Sequence, residues 1–329
     1  MTRAIGSNAI VKFCQEQTWG VTPDPSALGK LTFGMNLRSE GLGLSKNTIQ
    51  SQMINQYRSV VGLTDGNKAV AGNIVTDLLP EGIEVLFRHL LGKPTVTTTG
   101  SGPYTHIMKG DPGYLEGLSF EKGFPNINEY ILYSGCRINT CTIDIPQEGF
   151  AGVTFDFVGK AENIDTSTQI TGDSVYGTKD GFNGYQCTVY TNNTGSYVAL
   201  GKVTKGTITI SNNIETDAYV LGSAFRADEA LGTRDCKGDF EIFFEDLTIY
   251  NLFVNGTSCG IKFVFDNGVE SIIFEFPEVK IGGESPKIAS AGGVNLPLNF
   301  TAKRNTAAAT DIIVTFVNST VSVETAPGE

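Results

Sequence analysis

The chain has 329 residues, a formal net charge of −11 and only 18% charged residues, a length that allows one large or two ordinary domains, each with its own core. The acidic balance argues against a protein that grips nucleic acid, because phosphate binding is driven by Lys and Arg. The 39 Gly and 20 Phe, with plentiful Thr, Val and Ile, favour many short strands joined by tight turns over a helical bundle.

In chain order, the N-terminus has no long apolar run, and no later stretch approaches a membrane span. A soluble protein folded in a cytoplasm is the expectation. Residues 8–14 read as a strand, followed by a turn-rich arm that carries the single Trp, Trp19. Residues 31–39 alternate as a strand does. Residues 40–68 form a polar stretch too long for an ordinary hairpin loop. Gln50, Gln52, Asn55, Gln56 and Arg58 alternate there with Ile49, Met53, Ile54 and Tyr57, which reads as a protruding two-stranded arm.

Residues 72–92 read as a strand running into one amphipathic helix. Ile83, Leu86, Phe87 and Leu90 fall on a single helical face. Pro80 and Glu81 suit its first turn, and Gly92 with Pro94 its end. Residues 95–113 read as a strand pair, and 115–124, 129–145 and 152–163 as further strands. Thr140, Thr142 and Asp144 alternate with Cys141, Ile143 and Ile145, and Thr154 and Asp156 with Val153, Phe155 and Phe157. That is the period of a sheet with one wet face. Residues 164–184 are polar and Gly-rich and read as a linker. A strand pair at 185–199 follows, then the alternating strand 205–212, in which Thr207, Thr209 and Ser211 oppose Ile208 and Ile210. Residues 214–235 take the place of the first arm. A second strand–helix unit at 238–256 and strands at 260–268, 270–281 and 294–305 complete the order.

The second half repeats the first. Gly72, Ile83, Leu86 and Phe87 recur as Gly238, Ile249, Leu252 and Phe253 at one constant spacing. The starts match at Leu28 and Leu200, and the ends at 157–160 and 300–303. An internal duplication is expected, with modules at 1–165 (carrying the N-terminal arm and the loop 40–68) and 166–329. Ile83, Leu86 and Phe87, and likewise Ile249, Leu252 and Phe253, are expected to pack each helix against its own sheet.

Chemistry is sparse. There are two His. His89 is expected to be exposed or at the helix end, with Asn255 as its counterpart, and His106 to lie in a loop-like strand tip. No HExxH, GxSxG or P-loop pattern occurs. Six irregularly spaced Cys, none in a CxxC pair, point to reduced buried thiols rather than disulfides. Cys136 and Cys141 fall on opposite faces of one strand, which argues against a metal site. The residues 266–268 read as a hairpin turn, not a calcium loop. The carboxylates alternate along strands, where a glycan hydrolase would need a pair across a groove. Neither an enzyme nor a cofactor is expected. What remains is architectural: many strand edges, which a protein must hide or use to assemble.

The extended pattern of residues 5–23, 118–163 and 217–256 resembles the tail tube (major tail) proteins of bacteriophages with long non-contractile tails. The middle run, Glu121-Lys-Gly-Phe124 through Phe157-Val-Gly-Lys160, carries it most specifically. The resemblance covers nearly the full length and implies a mainly β fold: two tandem tail-tube-type β-sandwich or barrel modules, each with one flanking α-helix. It implies a virion protein made in the host cytoplasm that assembles with itself into stacked rings, and a tube through which double-stranded DNA passes without specific binding. With two modules per chain, a trimeric, pseudo-hexameric ring is expected. The tape measure, tail terminator and distal tail proteins are the further partners implied, with no membrane and no cofactor. Asp144, Asp156, Thr209 and Glu241 are the candidate lumen-facing residues. Ile49, Gln52, Met53, Asn55, Tyr57 and Arg58 are the candidate inter-ring contacts. The inner tube of a contractile tail and a β-rich decoration protein or adhesin are the competing readings.

Overall fold

A computed structural model describes residues 3–24, 32–96, 103–110, 115–172, 174–193, 195–288 and 291–319. The first half holds β1 (Ile10–Gln15), β2 (Thr32–Gly34), β3 (Ser39–Glu40), β4 (Gly43–Gln50), β5 (Leu63–Asp77), α1 (Glu84–Leu91), β6 (Thr95–Val96), β7 (Tyr104–Lys109), β8 (Leu118–Phe124), β9 (Glu129–Ile145), β10 (Gly152–Gly159) and β11 (Ala161–Asp165). The second holds β12 (Ser174–Val175), β13 (Cys187–Asn192), β14 (Val198–Ala199), β15 (Val203–Ser211), β16 (Asp235–Phe243), α2 (Thr248–Val254), β17 (Ser258–Asp266), β18 (Ser271–Gly283), β19 (Asn295–Ala302) and β20 (Ile313–Asn318). The protein is mainly β, as the alternation requires.

The strands pair in one order twice. In the first half β1 pairs with β8, β8 with β9, β9 with β10, β10 with β5, and β5 with β4. In the second, β13 pairs with β17, β17 with β18, β18 with β19, β19 with β16, and β16 with β15. The register repeats as well. Phe157 stands opposite Gly72 and Ile138, and Phe300 opposite Gly238 and Ile281. The recurring glycine has a steric cause: a Cβ on Gly72 would strike the carbonyl oxygen of Gly41, and one on Gly238 that of Thr207. Both are points of close backbone approach, which only glycine permits. This register makes Ile208 the counterpart of Leu42, which sits across from Gly72. The start matched from Leu28 is therefore displaced: part of it lies outside the described residues, and Thr32–Gly34 pairs with β1 and β12 instead.

The two halves share more than a linker. β15 pairs antiparallel with β9, Gly206–Ser211 against Thr140–Ile145. β20 pairs with both β18 and β7. One hydrophobic cluster contains Phe155 and Ile138 from one half and Phe274 and Phe300 from the other. Residues 164–184 are not a loose linker. Ile170 and Phe182 are buried, the Ile170 N–H donates to Glu121 at 3.0 Å, and Phe182 exchanges backbone bonds with Leu78 and Ala151.

The second arm, residues 214–235, also folds back. Arg226 Nη1 donates to the carbonyl of Gly159 at 2.9 Å, and the Lys68 N–H donates to the Ala224 carbonyl at 2.8 Å. Buried beside Arg226 are Arg137 and Glu229, with the Arg137 guanidinium stacked on Trp19 at 5.4 Å.

The helix α1 differs from expectation in two ways. It begins at Glu84, with Pro80 and Glu81 in the preceding turn. It is buried on every side, not on one face: Glu84, Arg88 and His89 are buried along with Leu86, Phe87 and Leu90. His89 is thus interior, its Nδ1 3.3 Å from the Glu116 carbonyl. His106 lies within β7 and is fully buried. The cause is β20, which closes over this region: Asn318 Nδ2 donates to the Pro80 carbonyl at 2.9 Å.

Glu84 Oε2 has no hydrogen-bond partner, and burial pushes its pKa from 4.5 up to about 7. Below pH 4.5 the acid is protonated in both the folded and unfolded chain and costs nothing. Between there and pH 7 the folded chain holds the proton more tightly, so stability falls as pH rises. Glu84→Gln is expected to stabilise the subunit by up to about 3 kcal/mol at pH 8 and negligibly at pH 4. Urea denaturation at the two pH values checks this; an equal effect at both refutes it.

Candidate functional site: a continuous polar sheet face and a projecting arm

The shared pairing makes one continuous antiparallel sheet, in the order β3/β4, β5, β10, β9, β15, β16, β19, β18. One face is core, lined by Ile74, Phe155, Cys141, Ile210, Cys236 and Phe300. The other is polar. Across it Asn73, Asp156 and Thr140 stand in one row, and Asp144, Thr207, Asp239 and Asn299 in another. The four residues singled out from sequence, Asp144, Asp156, Thr209 and Glu241, all lie on this face, because cross-strand partners in a pleated sheet point the same way.

The charge on this face is mostly acidic. Glu241 is bridged by Lys205 at 2.9 Å, and hydrogen bonding from Lys205 lowers its pKa. Lys237 bridges Asp235 at 3.3 Å, and Arg38 bridges Asp77. Asp144, Asp156 and Asp239 add negative charge. Partial burial raises the pKa of Asp156. Exposed ion pairs of this kind add little stability, about 0–1 kcal/mol each. Lys205, Lys237 and Arg38 are thus committed to neighbouring carboxylates, and Lys280, opposite Thr301 on the same face, donates to the Gly256 carbonyl, leaving a surface ill-suited to holding phosphate.

The second feature is the hairpin of β4 and β5, which pairs out to Gln50 and Leu63 and carries the tip 51–62. Ile49, Gln52, Met53, Asn55, Tyr57 and Arg58 are all exposed there. Ile54 is fully exposed at 101%, and Met53 is 74% exposed. The tip's own bonds are local: the Ser51 N–H donates to the Gly62 carbonyl at 2.8 Å, and the Tyr57 N–H to Asn55 Oδ1 at 2.8 Å.

Of the helix residues, Ile83, Leu86, Phe87, Ile249 and Leu252 are buried, and Phe253 is half-buried. Phe87 packs on Phe155 of its own half and on Phe274 and Phe316 of the other, at centroid distances of 5.5, 5.6 and 5.4 Å. Cys136 and Cys141 are both buried, not on opposite faces, because a bulge in β9 lies between them. Among the described residues no group of three His, Cys, Asp or Glu could hold a metal ion, and no helix is long and apolar enough to cross a membrane.

A large antiparallel sheet with a polar face, one buried helix and a long exposed hairpin defines a β-rich protein. The sequence model of the family described as "Phage tail tube protein" matches residues 6–302, and the chain belongs to that family. It is a structural component of a phage tail. No curated protein matches the chain.

Proposed function

We propose that the chain polymerises with itself as stacked rings, three chains to a ring, into the tube of a long non-contractile tail through which double-stranded DNA is delivered. The observation that carries this reading is the repeated pairing order of the two halves. Two quasi-equivalent modules per chain let three chains supply six similar positions around an axis. A sheet closed on itself through neighbours leaves no exposed edge. The acidic polar face lines the lumen, with Asp144, Asp156, Thr209 and Glu241 toward the DNA. Like charge and committed cations let the duplex slide without the counterion release that accompanies binding.

The hairpin tip reaches the adjacent ring through Ile49, Gln52, Met53, Asn55, Tyr57 and Arg58. The module division at 165/166 is one of ancestry and ring position; the core is shared across it. The tape measure protein fills the growing tube, and tail terminator and distal tail proteins cap its ends. The decisive experiment is electron microscopy of the purified chain. Rings or tubes with three chains per ring are expected. Six chains per ring would overturn the trimer, and a featureless monomer at high concentration would favour a decoration protein or adhesin.

A further inference from the structure

The internal seam shows how two modules join, and its counterpart at the chain's outer ends is open. Within the chain, β15 lies along β9 next to β8. The Asn212 N–H donates to the Asn139 carbonyl at 2.7 Å, so the even-numbered positions of β15 direct their backbone groups toward β9. In the second half β18 stands where β9 stands and β17 where β8 stands. Counted on from Ile281 and Gly283, the segment 282–287 occupies the place of residues 140–145. Among the described residues no strand pairs with it on the β17 side.

The counterpart of β15 is the segment 40–45, whose outer edge also lacks a strand among the described residues. The Gly41 N–H turns inward to the Asn73 carbonyl at 2.8 Å, so Leu42 and Leu44 turn their backbone groups outward. Pro286 corresponds to Asp144, a position whose backbone faces inward, so its missing N–H costs this edge nothing.

The outward groups of Leu42 are occupied by side chains. Its N–H donates to Glu40 Oε1 at 2.6 Å, its carbonyl accepts from Lys122 Nζ at 3.0 Å, and Glu40 and Lys122 bridge each other at 2.9 Å. At the internal seam the corresponding residues are Gly206 and Phe263. Phe263 is fully buried and its ring edge lies against Gly206. The seam that is always paired has no charges at these positions, and the edge that is open has an ion pair on its backbone. Charged residues on an edge are a standard guard against untimely strand addition.

We propose that the edge at 40–45 receives a second copy of this chain along that copy's segment 282–287, in the register of the internal seam, and that Glu40 and Lys122 guard the edge until it is joined. This rests on the ring reading above and names the surfaces that close the ring. Leu42 then faces Ser285 and Gly43 faces Glu284 of the next copy, and the guard must leave the Leu42 backbone for the strand to add.

Two experiments on the full chain test it. In a Gly43→Cys, Glu284→Cys double variant the two thiols meet across a non-hydrogen-bonded pair, within disulfide reach. Oxidation of assembled material is expected to give linked dimers and trimers on a non-reducing gel, with closed trimers dominant. Tubes that form without cross-links overturn the edge assignment and leave the ring reading intact; absence of rings and tubes from the unmodified chain overturns the ring reading itself. The Glu40→Met, Lys122→Met variant keeps the net charge and frees the Leu42 backbone. It is expected to assemble spontaneously at least about tenfold faster than the unmodified chain by light scattering. A folded variant, judged by circular dichroism, that assembles at the unmodified rate or slower overturns the guard. Ser285→Pro, which removes the facing N–H, is expected to block assembly in both backgrounds; normal tubes from it count against the edge.

Discussion

A chain in which residues 51–62 are replaced by an Asn-Gly turn is expected to fold with unchanged thermal stability and to form no tubes. The tip carries no core: residues 51–61 are all exposed, and its hydrogen bonds run mostly between near neighbours. The strands beneath it pair out to Gln50 and Leu63, so a two-residue turn closes the hairpin without strain. Assembly is a different matter. Met53, Ile54, Tyr57, Val60, Val61 and Leu63 expose large apolar surfaces together, and such a patch marks a contact surface. Ordering the tip only upon ring contact would keep the free subunit soluble until a tail is initiated. Melting curves and negative-stain micrographs of the two chains decide the matter: tubes of normal length from the shortened chain would remove the arm from inter-ring contact.

The second large effect is unequal truncation of the two helices. Phe87→Ala is expected to destabilise the subunit by about 3–5 kcal/mol, the usual cost of a fully buried aromatic. Phe253→Ala is expected to cost about 1 kcal/mol, since its side chain is only half-buried and the loss scales with the contacts removed. The sequence places these residues at equivalent positions, and the register agrees. Their surroundings differ because β20 and β7 cover α1, bringing Phe316 onto Phe87, whereas Phe253 packs beside Tyr250 at 5.8 Å. Paired urea titrations with unchanged m-values would establish the difference; equal losses would mean that the C-terminal strand adds nothing to the packing of α1.

Much of the framework was legible in the sequence. Alternation in residues 140–145, 153–157 and 207–211 assigns each side chain to a face, because the period of a strand is two and does not depend on what the strand pairs with. Gly72 and Gly238 were legible as a repeat, and the close approach of Gly41 and Thr207 explains why neither position tolerates a Cβ. The projecting arm was legible from its length and polarity.

Burial across the halves was not legible. His89 and His106 read as surface residues because nothing local announces that Glu116 will lie against the one and β20 pair beside the other. Residues 164–184 and 214–235 read as linker and arm because their composition is polar, yet Glu121, Arg226 and Glu229 satisfy those polar groups in the interior, where partners rather than composition set the cost of burial. The guard at Leu42 needed tertiary structure most of all. Glu40 and Lys122 lie far apart in the chain, and only the strand order β3, β5, β10, β9, β8 brings them to one backbone edge. Which face of each strand is wet, where the two helices fall and that the chain repeats follow from local period and sterics. Which strands are neighbours and which edges stay open was settled by tertiary structure, since those depend on contacts between residues distant in the chain, such as Ile143 with Ile208 and Glu40 with Lys122.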